Sequence, residues 1–251
     1  FKKIEHIFLL FKDVIPKNFS NIEIFNIFES NKRVLLILFE MSLLTMDSDI
    51  ATILTNEKFT SEKYPQFLYP EIKPFINEEF SNQISANLPK NYSKERKDEN
   101  NDKEICQLIQ KNSVDEFAAF IKKENIELTA TIEPSIFNTS SFLTGKLPTL
   151  IEYSAFCGSF QIFNYLYVNH VQINQNVWDY AIHGGNLDII HLLEQCKVKP
   201  IGDSFLECLY ESIKCHENEI ADHILSNSLN DEKEKKKPMI SIEALKFYNF
   251  N

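Results

Sequence analysis

Two stretches carry one pattern: Tyr153-Ser154-Ala155-Phe156-Cys157-Gly158-Ser159-Phe160-Gln161-Ile162-Phe163 and Tyr180-Ala181-Ile182-His183-Gly184-Gly185-Asn186-Leu187-Asp188-Ile189-Ile190. Gly158 and Gly185 align, 27 residues apart (185 − 158). Each copy reads as a short helix, a Gly turn and a second helix. The small residues Ser154-Ala155 and Ala181 sit in the first helix, where a neighbouring copy must come close. The Gly is expected to end that helix in the left-handed conformation. Ser159 or Asn186 is placed to cap the second helix. Ile162-Phe163…Leu166 and Ile189-Ile190…Leu193 then give the apolar stripe of a helix buried on one side.

The pattern extends in both directions. Upstream, Ile105…Leu108-Ile109 forms a first helix, Asn112 stands where the later Gly stands, and Ser113-Val114-Asp115-Glu116-Phe117 matches Asn186-Leu187-Asp188-Ile189-Ile190. From Asn112 to Gly158 is 46 residues (158 − 112), so an insertion is expected at 132–146, where Pro134 and Gly145 lie. Downstream, Cys215-His216-Glu217-Asn218-Glu219-Ile220 repeats the turn with His216 in the Gly position, 31 residues on (216 − 185). Leu209 and Ile213 are its first-helix anchors.

These residues resemble the ankyrin repeat, in which two antiparallel helices and a turn stack on the next copy. The resemblance lies in Ala-x-x-Gly-Ser-x-Gln-Ile (155–162) and more loosely in Ile-x-x-Gly-Asn-x-Asp-Ile (182–189). Thr149-Leu150-Ile151-Glu152 and Asn176-Val177-Trp178-Asp179 stand for the usual repeat start, keeping a capping residue and an apolar third position. Residues 101–230 as a whole resemble a subgroup of ankyrin-repeat proteins with a helical leader, expanded in flagellated parasitic protists. The resemblance implies an all-α, helix-turn-helix solenoid preceded by a helical leader region, and it implies no reaction.

The expected organisation is a leader at 1–91, a charged linker at 92–103 and repeats at 104–251, with copies near 104–130, 147–174, 175–202 and 203–230 and the start of another at 239–251. Within the leader, Pro16 is expected to close a helix over residues 1–14, Ser20 to cap the next, and Asn31 to cap a third that runs to about Leu44. Asp47 or Ser48 opens a fourth. Pro65, Pro70, Pro74 and Pro89 predict irregular structure over 60–91, with one helix near 74–85. After the last copy, a charge run at 231–237 is expected to end at Pro238, and a helix to begin at Ser241. An array needs a polar outer face on its final copy. Ile242, Leu245, Phe247, Tyr248 and Phe250 do not supply one, so either further chain or another molecule is expected to cover them.

A net charge of −10 and a pI near 5.2 argue against nucleic acid or an acidic membrane surface as the general partner. Five widely spaced Cys favour a reducing cytoplasm over a disulfide framework. Residues 34–39 are the most apolar run, too short for a membrane span and better read as a buried helix. No Gly-rich phosphate loop is present. His183-Gly184-Gly185 falls at an inter-helix turn rather than in an oxyanion loop. Cys196, Cys208 and Cys215-His216 lack the two-to-four-residue ligand spacing of zinc sites. No His and carboxylate partner set recurs at both Cys157 and Cys215, so no nucleophilic Cys is expected.

The expected function is therefore a non-enzymatic protein–protein interaction scaffold, without cofactor or metal, located in the cytoplasm. The alternative is a structural component of a large permanent assembly, such as the cytoskeleton of a flagellated cell. Under the resemblance, partners meet the first-helix ends and the inter-repeat fingers. These are Phe156 and Cys157, His183 and Gly184, and Lys214 and Cys215, with fingers at 170–175 and 197–203. Trp178 aligns with Ile151 and Leu209 and is expected to be buried.

Overall fold

The computed structural model describes residues 2–98, 103–133, 135–229 and 233–247. Among these the fold is all-α, with no named strand. The chain divides into two compact units, one of residues 1–102 and 134–146, the other of 103–133 and 147–251. The excursion at 134–146 lies where the 46-residue gap between turns requires an insertion, and it belongs to the first unit.

The first unit holds α1 (Lys2–Leu10), α2 (Ile15–Asn18), α3 (Asn21–Phe28), α4 (Lys32–Glu40), α5 (Ser48–Leu54), α6 (Glu57–Ser61), α7 (Tyr64–Phe67), α8 (Tyr69–Ile72), α9 (Glu78–Ala86) and α10 (Tyr92–Asp98). Its centre is α4, where Val34, Leu35, Leu36, Ile37 and Leu38 are buried one after another. At roughly 1.5–3 kcal/mol per buried side chain, a helix apolar all round must lie among others. Phe25, Ile50, Phe59, Tyr64 and Phe67 pack in the same core, with Phe137 from the excursion. Local chemistry sets the starts of these helices. Ser20 and Glu23 form a capping box on α3. Asn31 accepts from Arg33 and Val34 on α4, and Asp47 accepts from Asp49 and Ile50 on α5. Each cap contributes about 1 kcal/mol.

Three expectations for this unit need correction. The third expected helix ends at Glu40, not near Leu44, because Ser42 turns left-handed and the amides of Leu43 and Leu44 return to the Leu38 carbonyl. The prolines do not make 60–91 irregular. Pro16, Pro65 and Pro70 occupy the first turns of α2, α7 and α8, and Pro74 that of a short 3-10 turn (Lys73–Phe75). There the missing N–H would have had no intrahelical partner. The charged stretch 92–103 does not begin as linker, since Tyr92–Asp98 is helical and Tyr92 and Arg96 are buried. The Tyr92 hydroxyl donates to the Phe67 carbonyl, and Arg96 pairs with Glu71 at 2.6 Å. The same guanidinium lies over the Phe67 and Tyr92 rings, its central carbon 5.6 Å and 5.9 Å from their centroids. Residues 99–102 of the expected linker lie outside the described residues.

The second unit holds α11 (Glu104–Gln110), α12 (Val114–Glu124), α13 (Leu150–Phe156), α14 (Phe160–Val168), α15 (Val177–Gly184), α16 (Leu187–Gln195), α17 (Phe205–Cys215), α18 (Asn218–Asn227) and α19 (Lys233–Lys246). These are four helix pairs and one further helix. The first helices α11, α13, α15, α17 and α19 pack on one another in chain order, and the second helices α12, α14, α16 and α18 do the same. The four inter-helix turns share one backbone solution: Asn112, Gly158, Gly185 and His216 have φ of 54°, 64°, 64° and 62°. At three of them the next amide closes on a carbonyl five residues back, Ser113 on Leu108, Ser159 on Ser154 and Glu217 on Ser212.

The excursion is pinched off by an antiparallel bridge between Thr131 and Thr149, with the Ile132 amide on the Pro148 carbonyl and the Leu150 amide on that of Ala130. Thr149 and Glu152 then form the capping box of α13. Asn176 makes no side-chain cap on α15; the Asn174 side chain instead accepts from the Asn176 amide. The last helix starts earlier than expected and runs through Pro238 from Lys233 to Lys246. Lys and Glu are strong helix formers, and packing on α17 holds the helix across the one hydrogen bond that proline forfeits. Ile242 and Leu245 are exposed, while Tyr248 and Phe250 lie outside the described residues.

Ile151, Leu166, Trp178, Ile189, Leu193 and Leu209 are all buried. The Trp178 indole donates to the Val198 carbonyl at 2.8 Å and meets Phe205 edge-on. Because Trp178 is the chain's one tryptophan, its fluorescence reports the second unit alone. Acrylamide is expected to quench it weakly in the native protein and strongly after unfolding. Native quenching equal to that of free tryptophan would contradict the packing.

Candidate functional site

The turns place the ends of the first helices in a row, and neighbouring rows are tied to each other. The Ser159 hydroxyl, instead of capping α14, donates to the Ile109 carbonyl of the pair before. The Asn112 side chain reaches forward, bonding to the Gln161 side chain and accepting from the Ile162 amide. Asn186 caps α16 through its oxygen and donates from its nitrogen to the Gly158 carbonyl. The Asn186 side chain thus follows its own turn and braces the one before it.

Gly184 belongs to the same packing. A Cβ there would lie 2.0 Å from the Ala155 carbonyl oxygen and 2.9 Å from the Gly158 nitrogen. A Cβ on Gly158 would in turn lie 2.6 Å from the Gly184 oxygen. Gly184 thus permits the close approach of α15 to the preceding pair, and it has no side chain to offer a partner.

Of the other predicted positions, Phe156, His183, Lys214 and Cys215 converge, while Cys157 is half-buried beside Tyr153. Phe156 stacks on Tyr153 with ring centroids 6.1 Å apart, and lies 6.3 Å from the His183 ring. The His183 Nε2 is 2.8 Å from Glu211 Oε1. Cys215 Sγ lies 3.5 Å and 3.6 Å from the two ring nitrogens of His183 and 3.9 Å from Glu211 Oε1. Lys214 Nζ holds both Glu211 oxygens at 3.0 Å. Phe156, His183, Glu211 and Cys215 are half-buried, and Lys214 is exposed.

The electrostatics follow from these contacts. The His183 hydrogen bond, helped by Lys214, holds the Glu211 carboxyl at about 2 against the opposing effect of burial. Burial, reinforced by the Glu211 charge, pushes the Cys215 thiol up to about 12. Burial likewise raises Cys157 to about 12. Neither sulfur is a thiolate at neutral pH. Moreover, Cys215 Sγ is nearly equidistant from both imidazole nitrogens, so it lies on neither in-plane lone pair. That is not the alignment of an activated Cys–His pair.

Glu211 is the member that sequence reading missed. Its signal was available: it precedes Cys215 by four residues, on the same face of α17. It also follows His183 by 28 (211 − 183), three short of the 31-residue step between these copies, so it lies one helical turn before Lys214, the residue aligned with His183 on the next first helix. The sulfur–imidazole approach spans 32 residues (215 − 183), so local ligand spacing could not reveal it. His216, weighed as a ligand from sequence, is instead the exposed left-handed turn residue, and Cys208 is buried within α17.

At the far end of the second helices, Tyr167, Val168, Cys196 and Val198 line a shallow groove of about 580 Å³ with His170, Val171, Gln172 and Ile173 from the first predicted finger. Among the described residues, no helix is long and apolar enough to cross a membrane. No protein-family model, no curated protein and no solved structure matches the chain.

Proposed function

We propose that the second unit is an ankyrin-type solenoid and that the protein is a non-enzymatic, cytoplasmic scaffold that binds other proteins through it. The observation that carries this reading is the row of first-helix ends. Phe156, His183 and Lys214 come from three successive pairs, stand side by side and retain solvent exposure. An aromatic edge, an imidazole and a lysine on a rigid frame are a combination that supplies binding anchors. The raised thiols support the non-enzymatic side of the reading.

The test is co-purification under native conditions. Phe156→Ala combined with Lys214→Glu is expected to lose the proteins that accompany the wild type by about tenfold, the loss of roughly 1.4 kcal/mol at a single anchor. Lys123→Glu, on the exposed side of α12, is expected to keep them. An unchanged set of companions in the folded double variant would reject this surface.

One observation favours the second reading, a component of a permanent assembly. Exposed large apolar residues concentrate in the first 27 positions, at Ile7, Leu9, Leu10, Phe11, Val14, Phe19 and Ile27. A monomeric surface rarely carries so many close together in sequence without a covering partner. Under that reading the first unit contributes contacts too, and the complex survives washing in high salt because its interface is apolar.

A further inference from the structure

We propose that His183, Glu211 and Cys215 form a three-ligand site for a zinc-class divalent cation, which clips α15 to α17. The inference does not rest on the partner-binding reading. Its basis is the triangle formed by the three donor atoms. Imidazole nitrogen, carboxylate oxygen and thiolate sulfur are the three donor types that zinc takes, at about 2.0–2.1, 2.0–2.2 and 2.3 Å. A tetrahedron with those bond lengths has donor–donor edges of roughly 3.6 Å for N···S, 3.3 Å for N···O and 3.5 Å for S···O. The observed edges are 3.6, 2.8 and 3.9 Å. Each is within roughly half an ångström of the requirement, which small side-chain rotations cover. His183 must swivel so that Nε2 faces the ion.

A brace made only of hydrogen bonds explains less. His183 and Glu211 meet at 2.8 Å, whereas Cys215 Sγ, 3.5 and 3.6 Å from the two ring nitrogens and 3.9 Å from Glu211 Oε1, lies off the in-plane axis of either nitrogen and makes only long contacts. Within a tetrahedron the same sulfur takes a vertex. The partial exposure of all three side chains leaves the fourth vertex open to water or an external ligand. Binding sends the Cys215 thiol proton to solvent, because the ion takes the thiolate. Lys214 competes for the Glu211 carboxylate, and its exposed stem allows it to turn away.

Cobalt(II) is the probe, added to the full chain, with zinc(II) as competitor. The wild type is expected to bind one equivalent with the strong visible bands of a tetrahedral site and a thiolate-to-cobalt charge-transfer band, both erased by zinc. Cys215→Ser is expected to lose the charge-transfer band, while Cys157→Ser and Cys196→Ser keep it. His183→Gln and Glu211→Gln are expected to weaken binding by at least about tenfold, the least that a lost outer-sphere partner costs. Zinc is also expected to raise the unfolding temperature reported by Trp178, and a chelator to reverse the rise. A pale six-coordinate spectrum in the wild type overturns the proposal. So does a thiolate band that persists in Cys215→Ser, which would mark an adventitious site. If Cys215→Ser does not fold, the two Gln variants decide: unchanged affinity in both rejects the site.

Discussion

Gly184→Ala is expected to destabilise the second unit by about 3 kcal/mol or more, the top of the range for overpacking a well-filled site. The new methyl carbon would sit 2.0 Å from the Ala155 carbonyl oxygen. That neighbour is backbone in α13 and cannot rotate away as a side chain does. Relief requires α15 to move off α13, which disturbs the most extensive contact between successive pairs. Gly185→Ala should cost less, although Gly185 is the residue with positive φ. Its Cβ would meet the Glu217 carboxylate at 2.7 Å, the far end of a flexible side chain. What remains is the left-handed backbone penalty of roughly 1–2 kcal/mol. Gly202→Ala isolates that penalty, since Gly202 has φ 65° and nothing within 4 Å of its Cβ. Denaturant unfolding followed by Trp178 fluorescence should rank the losses Gly184 first, then Gly185 and Gly202. Equal losses at all three would show that the stack adjusts freely and that the close approach has no energetic weight.

That ranking separates what the sequence carried from what it did not. The all-α fold, the four helix pairs of the second unit and the excursion between the first two pairs were legible, because turn residues recur at fixed offsets and apolar residues at helical period. The turn positions were legible even where the residue changes, since Asn112 and His216 take the same left-handed conformation as the glycines. Asn112 offsets its backbone cost through side-chain bonds to the following pair. Less was legible wherever a residue's task is set by a non-local neighbour. Proline reads locally as a breaker, yet Pro65 and Pro70 begin helices that tertiary burial of Tyr64, Phe67 and Ile72 holds in place. Arg96 reads as one more charge in a solvated run until Glu71, 25 residues back (96 − 71), meets it. In the candidate site the sequence supplied Phe156, His183, Lys214 and Cys215 by alignment. Glu211, which joins three of them, needed the side-by-side placement of α15 and α17.

The first unit should become more stable relative to its Lys32→Met variant as the pH rises from 7 to 9.5, by about 2 kcal/mol. Lys32 is the first residue of α4 and is only 6% exposed. Its ammonium donates to the Asn138 carbonyl at 3.3 Å and lies 5.0 Å from the Tyr64 ring centroid. Those contacts do not replace the hydration that burial removes. Desolvation lowers the Lys32 pKa to about 8, with Glu62 opposing and Lys63 adding to the fall. The sign follows from proton counting. Above pH 8 the native lysine loses its proton, while the unfolded one keeps it up to about pH 10.4. The unfolded state then binds more protons, so stability climbs with pH across that window. Below pH 8 both states are protonated, and the cost of the buried charge is constant and largest. Met keeps much of the stem's packing without the charge, so the variant is expected to equal or exceed the wild type at pH 7 and to lose that advantage by pH 9.5. Tyr64 and Tyr92, whose burial raises them, the latter to about 12, are present in both proteins, so their destabilising effect above pH 10 largely cancels in the difference. Thermal or denaturant unfolding followed by far-ultraviolet circular dichroism at pH 7, 8.5 and 9.5 measures it. Parallel pH profiles for the two proteins would mean that Lys32 keeps an ordinary pKa, and that the Asn138 carbonyl and the Tyr64 ring solvate the ammonium as well as water does.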